Sequence, residues 1–258
     1  MSEMGNPSNQ REREPAVLNG NIRILYEDGD IIVCRKPAGV PVQSANMRIK
    51  DMESILKLYL LEKRNGQKGE PYLGIVHRLD QPVQGVLVFA KTKKAAAELS
   101  RQMSDKSGKG LAQKRYCAVV HGLTDAAQRD ERPGEYKELV DYLRKDGKTN
   151  TSHIVPKGTK DARESRLRLQ IRQVKETRAL VDIELLTGRH HQIRVQLSGA
   201  GMPIVGDRKY GCTQTEKDAE AESEILALCA YCLSFRHPRT GKKMEFSVKP
   251  EGGAFKNF

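Results

Sequence analysis

The sequence predicts an α+β fold, a mixed and largely antiparallel sheet with flanking helices. Three observations predict it. Strand-like segments outnumber helical ones and are often sequence neighbours. The 258 residues contain no internal repeat and no clean linker. A chain of that length is also enough to bury most of its apolar surface around one core.

Residues 1–20 are expected to be a disordered tail, since residues 1–16 are polar, charged and aperiodic, and a single domain is expected over 21–258. Leu25-Tyr26 and Ile31 to Cys34 flank Glu27-Asp28-Gly29-Asp30, which has turn composition, so a hairpin is predicted. Lys36-Pro37-Ala38-Gly39-Val40-Pro41 ends it, because two prolines and a glycine cannot continue a ladder. Met52, Ile55, Leu56, Tyr59 and Leu60 share one face of a helix within residues 51–64. Gly85 to Ala90 reads as a buried strand, Lys93 to Met103 as a helix and Arg115 to Val120 as a strand.

Residues 124–165 are mostly polar and admit an insertion, a mobile flap or a pair of edge strands. Leu167, Leu169 and Ile171 alternate with polar residues, the period of a half-buried strand, and Leu180 to Leu186 is the next strand. After Thr187-Gly188 comes a helix in which Ile193, Leu197 and Ala200 share a face. Residues 213–224 are an acidic loop or short helix. Ile225 to Phe235 and Met244 to Val248 are strands about a His237-to-Gly241 turn.

Lys and Arg number 45 against 33 Asp and Glu, a formal net charge of +12. Such an excess points to a polyanion, either nucleic acid or an anionic membrane. The basic residues are spread widely rather than along one amphipathic helix, which favours nucleic acid. No apolar run approaches the roughly 20 residues of a membrane span, and no secretory h-region opens the chain. A cytoplasmic monomer is expected.

The five cysteines are odd in number and do not suggest a disulfide framework. Cys229 and Cys232 form one isolated CxxC. Cys212 and His237 would have to complete a zinc set at irregular spacing, so buried small hydrophobes are the plainer reading and no metal is expected. Phosphate-loop, dinucleotide-binding and nucleophile-elbow patterns are all missing.

Three polar clusters at element boundaries remain. His77-Arg78-Leu79-Asp80 precedes a buried strand, a common place for a reacting carboxylate, although an Asp before Gln81-Pro82 is also an ordinary turn residue. Thr187 to Arg194 enters a helix with several donors. There Arg189 and Gln192 suit phosphates, and Arg194 suits either a phosphate or a buried acid. Lys114-Arg115-Tyr116 opens a strand whose Tyr either stacks on a base or fills the core.

Taken together and in order, these clusters resemble the RluA family of pseudouridine synthases. The resemblance rests on His77 to Ala90, Lys114 to Gly122, Thr187 to Val195, Pro203 to Gly211, Lys36 to Gly39 and His237-Pro238. It implies the pseudouridine synthase fold with a central RNA-binding cleft and isomerisation of uridines in ribosomal or transfer RNA. It implies no cofactor. Asp80 would be the catalytic carboxylate, Arg194 its paired cation and Tyr116 the ring against the target base. Leu228 would lie under the base and Arg78 would help expel the nucleotide. His77, Lys114, Arg189 and Gln192 would meet substrate. The family's amino-terminal S4-type module has no room before residue 22 and is expected to be absent. Val83, Gln84, His190, Gln196 and Cys229 depart from the family pattern. They leave a catalytically silent RNA-binding protein on the same fold as the competing expectation.

Overall fold

A computed structural model describes residues 16–19, 21–46, 48–64, 69–104, 112–122, 135–211 and 225–258. Twelve strands form one sheet in the order β1-β2-β3-β5-β11-β6-β10-β9-β7-β8, with β4 paired to β5 and β12 to β11. They are β1 (Val17–Leu18), β2 (Ile22–Glu27), β3 (Ile31–Lys36), β4 (Gly74–Ile75), β5 (Gln84–Ala90), β6 (Gln113–His121), β7 (Lys137–Asp146), β8 (Thr151–Ile154), β9 (Arg163–Lys175), β10 (Arg178–Leu185), β11 (Leu228–Arg236) and β12 (Lys243–Ser247). Among the described residues the α-helices are α1 (Met52–Glu62), α2 (Lys93–Ser104) and α3 (Gln192–Gly199). Among the described strands only β5 and β11 pair in parallel. The expected mixed, largely antiparallel α+β architecture is therefore the observed one.

Local chemistry sets the elements. The β2–β3 turn is closed by Asp28, whose Oδ1 accepts from the amides of Asp30 and Ile31 at 2.8 and 2.9 Å. Asp51 caps α1 by accepting from the Ser54 amide at 2.8 Å, and the Ser54 hydroxyl oxygen accepts in return from the Asp51 amide. Every residue of β5 is buried, as its unbroken apolar run requires. Alternate residues of β3 and β5 then face two helices. Ile32, Cys34, Leu87 and Phe89 pack with Met52, Leu56 and Leu60 of α1. Ile31, Val33, Val86 and Val88 pack with Ala95 and Leu99 of α2.

The structure alters three expectations. Val17–Leu18 pairs with β2, so part of the expected tail is strand. Residues 1–15 and the acidic segment 212–224 lie outside the described residues. Of the alternatives for 124–165, the described part forms strands at one end of the sheet, β7 lying between β9 and β8 with β8 at the edge. Instead of one apolar face, α3 buries every residue from Gln192 to Leu197.

In the middle of the sheet β5 meets β11 through two residue pairs, Gln84 with Cys229 and Gly85 with Ala230. Gly85 has φ +137, and a Cβ there would lie 2.3 Å from the Ala230 carbonyl oxygen. Only glycine admits that approach.

Candidate active site

A cleft of about 1390 Å³ opens over the β5–β11–β6 junction. The loop before β5 brings Arg78 and Asp80, the start of β6 brings Lys114 and Tyr116, β11 brings Leu228, and the β10–α3 turn brings Arg189 to Arg194. All nine expected site residues, Asp80, Tyr116, Arg194, Arg78, Leu228, His77, Lys114, Arg189 and Gln192, thus line one cleft. Tyr116 and Leu228 are 7% and 2% exposed and line it with ring and aliphatic surface. Arg78 is exposed beside Asp80. The Lys114 ammonium donates to the Met103 carbonyl at 3.1 Å, and burial lowers its pKa.

Arg194 faces two carboxylates. Its closest partner is Asp207, to which Nε and Nη2 donate at 2.8 and 2.6 Å. Its Nη1 stands 3.6 Å from Asp80 Oδ2. Asp207 is held in turn by the amides of Lys209 and Tyr210. Arg194 is therefore a cation anchored by one carboxylate and presented to another. Burial raises the Asp80 pKa above the usual aspartate value and prevails over the opposing pull of Arg194. The cation alone does not keep Asp80 at an ordinary acidity.

Two of the lining side chains also have partners within the protein. All the hydrogen-bonding capacity of the Gln192 side chain is used within the protein. Its oxygen accepts from Thr187 Oγ1 and the Arg189 amide, and its nitrogen donates to the Arg166 carbonyl and to Gln196. It shapes the turn and offers nothing to a phosphate. The His77 Nε2 accepts from the Val88 amide at 3.2 Å, and burial pushes its pKa down to about 3, so the ring is a neutral brace on β5. Arg189 donates through Nε to the Glu164 carbonyl while its side chain borders the cleft.

Four residues at the site were given no role by sequence reasoning: Lys36, His191, Asp207 and Tyr210. Each lies inside one of the ordered motifs, which was the available signal. Lys36 is completely buried and donates to the carbonyls of Pro37, Val40 and Gln81 at 2.9, 2.6 and 2.9 Å. It thereby ties the loop after β3 to the residue following Asp80. The His191 Nε2 stands 3.7 Å from Asp80 Oδ2.

The departures from the family pattern lie in the packing. Gln84 donates to the Glu251 carbonyl and accepts from Arg35 and the Glu251 amide, pinning the carboxy-terminal segment. Val83 is buried. Gln196 donates to Asp141 at 2.7 Å, tying α3 to β7. Cys229 is buried opposite Cys117 on β6.

His237, the histidine of the zinc alternative, is engaged elsewhere. Its Nδ1 accepts from the amides of Arg239 and Thr240, which leaves Nε2–H to donate to Asp28 at 2.8 Å. Asp28, Asp30 and His237 do bring ligand-type atoms together. With Arg239 2.6 Å from Asp30, the group reads as a clip between two turns.

Comparisons with known proteins agree with this geometry. The model of the family described as RNA pseudouridylate synthase matches residues 30–199. The chain is 32% identical over 238 residues to ribosomal large subunit pseudouridine synthase C of Buchnera aphidicola subsp. Schizaphis graminum, covering 91% of this chain and 69% of that protein. It is 31% identical over 245 residues to ribosomal large subunit pseudouridine synthase D of Neisseria meningitidis serogroup B, covering 91% and 59%. Among solved structures, human RNA pseudouridylate synthase domain containing 4 superposes with a TM-score of 0.68 at 22% identity over 88% of each chain, a likeness in fold.

Proposed function

The chain belongs to the RNA pseudouridylate synthase family, and we propose that it isomerises uridines of large-subunit ribosomal RNA with Asp80 as the catalytic carboxylate. One observation carries the reading of the site. Asp80 sits in a cleft floored by Tyr116 and Leu228, with an anchored guanidinium 3.6 Å away.

The reaction breaks the bond from ribose to uracil N1 and rejoins the base through C5. The C5 proton is lost and N1 gains one, so the product is an isomer. The base must leave its stack, at a cost of roughly a few kcal/mol. Stacking on Tyr116 offsets about 1–3 kcal/mol of that. Arg78, exposed at the mouth, fills the position of the expelled nucleotide. Lys114 and Arg189 offer positive charge along the cleft for flanking phosphates. Asp80 acts in its ionised form, and Arg194 stabilises that charge where water is excluded.

The names of the relatives support ribosomal RNA as the substrate. Mapping pseudouridines in cells with and without the gene tests the assignment. Loss of one or more sites confined to large-subunit ribosomal RNA is expected. Loss confined to transfer RNA would move the substrate, and an unchanged map would contradict the proposal.

A further inference from the structure

Asp80 has a second neighbour whose orientation is set from a distance. His191 opens α3 with φ 54 and ψ 22, the left-handed region, and its side chain caps nothing. A non-glycine residue held there costs roughly 1–2 kcal/mol, so the surroundings must hold the ring in place. They do so through hydrogen bonds. The Ser152 amide of β8 donates to the Tyr210 hydroxyl oxygen at 2.8 Å. The Tyr210 hydroxyl lies 2.8 Å from His191 Nδ1. When the Tyr210 hydroxyl donates its proton to Nδ1, the neutral ring carries its own proton on Nε2. Nε2 is the atom 3.7 Å from Asp80 Oδ2.

The same serine reaches the neighbouring ring. Ser152 Oγ lies 2.9 Å from His190 Nδ1, and His190 stacks on His191 with centroids 3.7 Å apart. Ser152 is 2% exposed. Burial and the adjacent Arg194 push the His191 pKa down to about 3, so the ring stays an N–H donor rather than a counter-charge.

We propose that Ser152, Tyr210 and His191 form a positioning relay through which the β7–β8 hairpin aims a neutral N–H at Asp80. The inference deepens the proposed function and rests on Asp80 as the catalytic carboxylate. It makes the hairpin a component of the active site, linked to the reacting group through the Ser152 backbone amide, the Tyr210 hydroxyl and the His191 ring. Groups facing Asp80 are Arg194 and His191 at the start of α3, Asp207 and Tyr210 after it, Lys36 from β3 and Tyr116 from β6. Within that set, His191 presents a neutral N–H 3.7 Å from the carboxylate without adding charge.

The test is single-turnover tritium release from C5-tritiated RNA of cells lacking the gene, with enzyme in excess. Tyr210→Phe removes the hydroxyl but keeps the ring, whose centroid lies 5.1 Å from Arg194 and 5.6 Å from His191. The saturating rate is expected to fall roughly tenfold, with the half-saturating enzyme concentration changed less than about twofold. His191→Ala should lose more, and the acid limb of its rate should move to higher pH, because Asp80 has lost a donor to its charged form. His191→Gln restores an N–H and should recover most of the rate. Adding Tyr210→Phe to His191→Gln should then change nothing further. Wild-type rates in Tyr210→Phe and His191→Ala, or losses confined to half-saturation, would overturn the relay while leaving an active wild type and a silent Asp80→Asn. No release by the wild type would overturn the functional reading itself.

Discussion

Lys36 carries a stability signature that can be calculated and measured. Burial pushes its ammonium from 10.5 down to about 7, with the Asp80 carboxylate pulling in the opposite direction. In the unfolded chain the amine keeps its ordinary value near 10.4. Between these two pH values the folded state binds fewer protons than the unfolded state, so stability rises with pH across that interval. Below about pH 7 the amine is charged in both states and its contribution is flat. At about 1.36 kcal/mol for each pH unit, the rise by about pH 9.5 amounts to about 3 kcal/mol. Lys36→Met has no titrating group at this position, and Lys36→Gln serves as a second neutral variant. Urea unfolding of wild type and variants at constant ionic strength gives the difference, in which all other titrating groups cancel. The wild type is expected to gain about 3 kcal/mol on either variant between about pH 6.5 and pH 9.5. A difference that stays flat or shrinks with rising pH would refute the reasoning, because Lys36 would then titrate as an exposed lysine.

The same geometry sets other outcomes. Gly85→Ala places a Cβ 2.3 Å from the Ala230 carbonyl in a backbone with φ +137. It should cost about 3–5 kcal/mol and lower Tm by about 10 °C, measured by calorimetry. Asp207→Asn leaves Arg194 buried with one weakened partner. It should lower stability by about 3 kcal/mol in urea unfolding and slow tritium release as Asp80 loses an aligned cation. The pH–rate profile should show an acid limb above the ordinary aspartate value of 3.8, since burial raises Asp80 and activity needs its ionised form. A limb at or below that value would show a better-solvated carboxylate.

Much of this was legible in the sequence because the signals were local. The unbroken apolar run from Gly85 to Ala90, the spacing of Met52, Leu56 and Leu60, and the Glu27-to-Asp30 turn each identify their own element. The strands β7 and β8 at this end of the sheet were not legible, since Leu143 is the only buried residue of β7 and no alternation results. The burial of α3 on all sides was hidden for a different reason. Gln196 and Arg194 are polar, and their partners Asp141 and Asp207 become neighbours only in the fold. Lys36 likewise satisfies its ammonium on the Gln81 carbonyl, 45 residues along the chain. The same distance effect hid the internal partners of Gln192 and His77. Residue type suggested available donors and acceptors, and tertiary contacts had already occupied them.

The central claim is that Asp80 performs the isomerisation in the cleft beneath the β10–α3 turn. Tritium release from C5-tritiated RNA of cells lacking the gene, compared between the wild type and Asp80→Asn, tests it most directly. Asparagine keeps the size of the side chain and removes its charge. The account predicts release by the wild type and none by the variant, with equal RNA binding and similar salt dependence for both. Release by Asp80→Asn at the wild-type rate would contradict it.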